Sequence, residues 1–254
     1  MTVPNGLTVN RDGPVATITL DRPEVLNAQT PAMWSALREI GTSLPGDIRV
    51  VIVRGAGRSF SAGIDLAVAK GAGNGDLATL ARLPARECAE RIAGYQEAFT
   101  WLRRPDLITV AAVQGHAIGA GFQLALNCDL RVLADDAQFA MAEVTLGQVP
   151  DLGGTKRLTE LVGYARALEL CATARRVGAA EAERLGLATV VVPRAELETA
   201  TADLVAALLA GARDAVVEIK ALLAGAAGRS YAEQDRAERE AQTRRLSDLF
   251  GAGE

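Results

Sequence analysis

Two stretches constrain this chain more than any other: residues 111–129, AAVQGHAIGAGFQLALNCD, and residues 58–66, RSFSAGIDL. Each runs from an apolar, β-branched segment through a Gly/Ala-rich turn into helix-like sequence. Small residues let a ligand lie against the backbone. A helix start offers amide N–H groups that have no partner within the helix. Two such turns brought together supply two donors for one developing oxyanion. That equipment suits chemistry through an enolate and points to a thioester substrate.

The rest of the chain alternates strand and helix. Residues 7–10 and 15–20 read as strands around a turn at Arg11, Asp12 and Gly13. Thr30 and Pro31 open a helix to about residue 44, Thr30 as N-cap and Pro31 at the first helical position. Residues 49–54 are a buried strand. The segment 70–75, KGAGNG, reads as a lid or entrance loop, and a helix follows to about residue 102. Strands are expected at 107–113, 130–133, 138–141 and 189–192. Helices are expected at 120–127, 153–161, 165–173 and 179–185. From 195 onward only helices follow, divided near Gly211 and at 225–228. The strand-strand-helix rhythm predicts an α/β core wound as a spiral over residues 1–192 and a helical C-terminal region over 193–254.

A hydrophobic content of 49% with only 4% aromatics suits closely packed helices over small-residue strands. The net charge of −4 and the lack of a long basic block argue against a nucleic-acid partner. Arg and Glu are interleaved at 236–245, as on a solvated or subunit-bridging helix face. Cys88, Cys128 and Cys171 show no paired spacing and read as free thiols in a reducing compartment. The first residues lack an apolar signal core, and Gln114, His116 and several glycines interrupt the apolar run at 108–128. A cytoplasmic protein without membrane contact is expected. No His/Cys/Asp cluster has metal-ligand spacing, and no serine has a defensible His partner.

Several motifs in order now carry a resemblance. They are DRPEVLNA at 21–28, VVIVRGAGRSFSAGIDL at 50–66, VAAVQGHAIGAGFQLALNCDLRV at 110–132 and AQFAMAEVTLGQVPDLGGTKRL at 137–158. The chain resembles the crotonase (enoyl-CoA hydratase/isomerase) superfamily over nearly its whole length. The resemblance implies the ββα spiral fold, a helical trimerisation region, a homotrimer or dimer of trimers, and an acyl-CoA substrate. Coenzyme A would then be part of the substrate, with no permanently bound cofactor and no metal. The oxyanion-hole amides fall on Ile64 and Ala120. Arg22, Leu26, Ala28, Ser61, Ala62 and Asp65 fall where similar proteins line the CoA groove. Glu24 stands where many relatives carry a basic residue, so Arg22 or Arg58 would have to meet a CoA phosphate. Residues 76–104 correspond to much of the acyl pocket.

Hydratases of this superfamily use two glutamates. Here the first position is Gln123 and the second is Glu143. A Gln cannot exchange a proton near neutral pH, so the two-acid hydration machinery is incomplete. Asp151, eight residues after Glu143, matches a position where dienoyl-CoA isomerases carry an Asp. The expected reaction is therefore double-bond isomerisation of an enoyl- or dienoyl-CoA. Glu143 would remove an α- or γ-proton and Asp151 would return one. The alternatives are hydration, with Gln123 and Asp151 replacing the missing Glu, and acyl-CoA binding without turnover. Asp151 also has a purely structural reading as the cap of the following helix. His116 is expected to be structural, and Asp129 and Arg131 to form a polar pair near the core.

Overall fold

The structure is a computed structural model that describes residues 2–3, 5–69 and 77–251. The loop expected at 70–75 lies outside the described residues. In chain order the elements are β1 (Thr2–Val3), β2 (Leu7–Asp12), β3 (Val15–Leu20), α1 (Pro31–Ser43), β4 (Val50–Gly55), α2 (Leu66–Ala69) and α3 (Leu77–Ala81). Then come α4 (Ala85–Thr100), β5 (Ile108–Val113), β6 (His116–Ile118), α5 (Ala120–Asn127), β7 (Leu130–Ala134), β8 (Gln138–Ala140), α6 (Gly154–Val162) and α7 (Tyr164–Thr173). The chain closes with β9 (Val177–Gly178), α8 (Ala179–Arg184), β10 (Val190–Val192), α9 (Leu197–Ala210), α10 (Arg213–Ala226) and α11 (Tyr231–Phe250).

Among the described residues, seven strands form one sheet in the order β1-β2-β3-β4-β5-β7-β10. The β1–β2 and β2–β3 pairs are antiparallel, and the pairs from β3 to β10 are parallel. Side chains alternate across a strand, and the sequence uses that period. Val51, Val53, Ala111, Val113 and Leu133 point into the main core with α1, α4 and α5. Their neighbours Val50, Ile52, Val110 and Val132 point the other way, against Leu204, Val205 and Leu208 of α9. Covering both faces is what a parallel sheet requires. The helical C-terminal region thus contributes α9 to the core, while α10 and α11 pair with each other.

Most expected elements appear within a residue or two. Thr30 caps α1, its Oγ1 accepting from Met33 N at 3.3 Å, and Pro31 opens the helix. The single helix expected up to residue 102 is instead broken, because Pro84 cannot continue α3 and becomes the N-cap of α4. Strand β6 forms where the sequence predicts only a turn. It is three residues long, between Gly115 and Gly119 at φ +54° and +50°. It becomes a strand because β8 lies beside it, pairing Ile118 with Ala140 in a small sheet of order β6-β8-β9.

The expected Asp129–Arg131 pair does not form. Asp129 Oδ2 instead accepts from Lys220 Nζ of α10 at 2.7 Å and from Thr109 N and Oγ1 at 2.8 and 2.9 Å. Arg131, almost fully buried, donates to the carbonyls of Leu187, Cys128 and Ala125, and burial lowers its pKa to about 10. The two side chains leave β7 and its approach in different directions, and α10 brings a cation to Asp129 from nearly a hundred residues away. Lys220 Nζ also donates to Leu107 O at 2.6 Å. Removing one member of such a buried pair leaves the other charge uncompensated. Lys220→Met is expected to destabilise the chain by roughly 3 kcal/mol, read by denaturant unfolding; an unchanged midpoint would refute the anchor.

Candidate active site

The two small-residue turns meet through backbone. Ser61 N donates to His116 O at 2.8 Å, and Ile118 N donates to Ser61 O at 3.0 Å. The approach leaves no room for side chains. A Cβ on Gly63, at φ +91°, would lie 2.6 Å from Ile118 O, and one on Gly121 would lie 2.6 Å from Ser61 O. The first turn is tied to residues 26–29, Ala62 N donating to Leu26 O and Asp65 N to Gln29 O, both at 2.8 Å. Between them the Ile64 N–H donates to nothing among the described residues. Ala120 is the first residue of α5, where the helix offers no carbonyl to its N–H. Both residues line a cavity of about 550 Å³.

The small sheet delivers the first carboxylate. Gly119 N donates to Ala140 O at 2.8 Å, and the chain leaves β8 into the turn Glu143–Leu146. Glu143 Oε1 lies 3.2 Å from where a Cβ on Gly119 would stand. Gln123 Nε2 donates to that oxygen at 2.7 Å, and Oε2 is buried without a partner. Burial pushes the Glu143 carboxyl above its usual range; the Gln123 hydrogen bond opposes this, and the Asp151 charge adds to it.

Gln123 is fully buried and committed. Its Oε1 accepts from Leu152 N at 2.9 Å and Gly154 N at 3.3 Å, which orients its NH2 toward Glu143. It is a brace between the acid and the following turn. That turn carries Asp151, which lines the same cavity; burial raises the pKa of its carboxyl, opposed by a hydrogen bond from its own backbone. The cap reading of Asp151 fails: the N-cap of α6 is Gly153, and no side chain caps it.

The turn is held by residues that sequence reasoning missed. Gln96 Nε2 donates to Asp151 O at 2.7 Å, and Asn127 Nδ2 donates to Leu152 O at 3.2 Å. Arg103 donates to Gly153 O at 2.9 Å and to Asn127 Oδ1. Asn127 had a signal: it sits four residues after Gln123, on the same face of the otherwise apolar helix AGFQLALN. Gln96 and Arg103 had none.

Of the residues expected in a CoA groove, Ala62 lines the cavity, while Arg22, Leu26, Ala28, Ser61 and Asp65 do not line it and are joined to the first turn by hydrogen bonds. Arg22 Nη1 donates to Ala28 O at 2.7 Å and to Asp65 Oδ2 at 3.0 Å, so its charge is matched within the protein. Ser61 Oγ donates to Asn27 O and accepts from Gln29 Nε2 and Gly63 N, bracing the first turn. Glu24 and Arg58 are exposed. His116 lies outside the cavity wall; Arg176 Nη1 approaches its Nδ1 at 3.4 Å, and burial with that cation lowers its pKa.

The family profile described as Enoyl-CoA hydratase/isomerase matches residues 10–249. A Mycobacterium bovis protein named "probable enoyl-CoA hydratase" is 36% identical over 220 residues, covering 80% of this chain and 76% of its own. The carnitinyl-CoA dehydratase of Escherichia coli K12 is 39% identical over 217 residues, covering 84% and 78%. A Thermobifida fusca YX protein solved in complex with CoA superposes with a TM-score of 0.91 at 51% identity, covering 97% of this chain and 95% of that one. A Thermobifida fusca YX structure in complex with acetoacetyl-CoA also superposes with a TM-score of 0.91 at 51% identity, covering 96% of this chain and 95% of that one.

Proposed function

The chain belongs to the enoyl-CoA hydratase/isomerase family, and on that premise we propose that it moves a carbon–carbon double bond in an enoyl- or dienoyl-CoA. The thioester oxygen accepts from the Ile64 and Ala120 N–H groups. Glu143 Oε2 takes an α- or γ-proton, the electrons pass into the enolate, and Asp151 gives a proton to another carbon. The proton held by Glu143 then returns to Asp151 through solvent exchange, which resets the pair. CoA lies along the knot of Arg22, Leu26, Ala28, Ser61, Ala62 and Asp65, largely through backbone contacts.

One observation supports this reading above the others. Two carboxyl residues, Glu143 and Asp151, line one cavity, Glu143 with its Oε2 unpartnered, while Gln123, standing at the position of the hydratases' first Glu, is used up as a brace. Hydration is the second reading, favoured by the names of the relatives; Glu143 and Asp151 would then activate water beside Gln123. A product assay on 2-enoyl-, 3-enoyl- and dienoyl-CoAs in heavy water separates them. Isomerisation gives a shifted double bond with deuterium on carbon and no added water. A 3-hydroxyacyl product overturns it in favour of hydration, and binding without any product overturns both.

Asp151→Asn is expected to lower turnover by about 100-fold or more with no loss of melting temperature, because the side chain caps nothing and its carboxyl is held above its usual pKa by burial. A lower melting temperature with full turnover would remove Asp151 from the chemistry. A trimer, or a dimer of trimers, is also proposed: Ile219 and Leu223 of α10 and Leu246 and Leu249 of α11 are exposed apolar side chains that an interface would cover. Sedimentation as a monomer at micromolar concentration contradicts it.

A further inference from the structure

The wall of the cavity built by α1, α3 and α4 holds a group that neither catalysis nor packing accounts for. Helix α4 turns Cys88, Ile92 and Tyr95 toward the cavity at helical spacing, and Trp34 of α1 and Leu80 of α3 complete the wall. Trp34 packs between two aromatic rings of α4. Tyr95 stands 5.0 Å from it on the cavity side, and Phe99 stands 6.1 Å from it in the core. The polar atom of Trp34 is satisfied inside the protein, Nε1 donating to Gln29 Oε1 at 2.8 Å.

Tyr95 is different. It is only 9% exposed, yet no described residue exchanges a hydrogen bond with its hydroxyl. Nor is that hydroxyl sealed away, as the partnerless Trp101 Nε1 and Arg157 Nε are. Tyrosine hydroxyls take a partner, and one that opens on a cavity takes it from whatever fills that cavity, water or an oxygen of the ligand. For a purely aliphatic ligand a phenylalanine, as used one turn later at position 99, would serve better. We infer that Tyr95 is a specificity-determining residue whose hydroxyl bonds an oxygen atom (hydroxyl, ether or carbonyl) carried on the tail of the acyl group. The inference names the substrate class of the acyl-CoA site proposed above and rests on that reading.

The test uses two pairs of acyl-CoAs matched in length, one member carrying a tail oxygen and the other a methylene in its place. The saturated pair is measured by calorimetry, and the 2-enoyl pair by kcat/KM, on the wild type and on Tyr95→Phe. The wild type is expected to favour the oxygenated member on the order of tenfold. In Tyr95→Phe the ratio falls to one or below, because an apolar wall now desolvates the oxygen without replacing its hydrogen bond. A wild-type ratio near one, or a ratio that Tyr95→Phe leaves unchanged, overturns the inference. The calorimetric arm needs no turnover, so an absent double-bond shift refutes the isomerase reading alone. If neither saturated acyl-CoA binds, the acyl-CoA site and the inference fall together.

Discussion

Glu143→Gln is expected to abolish most turnover, by about 1,000-fold, within the range that removal of a positioned acid–base group produces. The variant keeps the shape of the site. Gln123 Nε2 finds the same oxygen to donate to, and the brace to Leu152 and Gly154 is untouched. Only the proton acceptor is lost. Burial raises the Glu143 pKa, and in the proposed mechanism Glu143 acts ionised, so the wild-type rate should fall as pH drops through that raised value. Asp151, also raised by burial, must be protonated to return a proton, so the rate falls again as pH rises. The resulting bell belongs to the pair, not to either residue alone, and Glu143→Gln should remove its acid limb along with the activity.

The same shift has a consequence for stability. A carboxyl whose folded pKa lies above its unfolded value contributes stability that is complete below the unfolded pKa and lost as pH rises through the folded one. The wild type carries that loss at neutral pH and Glu143→Gln does not. The melting temperature of the variant relative to wild type should therefore rise with pH across this window. A variant that loses activity and also melts lower at every pH would mean that Glu143 holds the fold rather than the reaction.

Gly121→Ala is the second large effect expected. In an exposed helix interior this change stabilises by about 1 kcal/mol. Here the new Cβ would stand 2.6 Å from Ser61 O and 2.8 Å from Ser61 Cβ, and the first of these is backbone. The turn bearing Ile64 must move away from the turn bearing Ala120. In the proposed mechanism the two donors share one oxyanion, so separating them removes at least one, which costs on the order of 100- to 1,000-fold in turnover. The loss should appear in kcat more than in KM, because the enolate needs the donors more than the ground-state thioester does. Wild-type kcat in Gly121→Ala would show that the two amides do not act on one atom.

Much of this is legible in the sequence. Strand alternation at 15–20 and 49–54, the Thr30-Pro31 helix start and the two small-residue turns are local signals, set by backbone sterics and by which side chains avoid water. They determined the α/β class and singled out the amides of Ile64 and Ala120 and the acids Glu143 and Asp151 as candidates. The rest depended on what lies far away in sequence. Strand β6 exists because β8 lies beside it, and that pairing is what sets Glu143 against Gly119. Asp129 meets Lys220 rather than its neighbour Arg131 because α10 folds back across the sheet. Gln123 matches a catalytic position by sequence, and only the fold shows that two amides from the turn at 152–154 reach its oxygen. Sequence patterns report period and propensity, whereas a hydrogen bond depends on which groups arrive within 3 Å, and only the packed chain decides that.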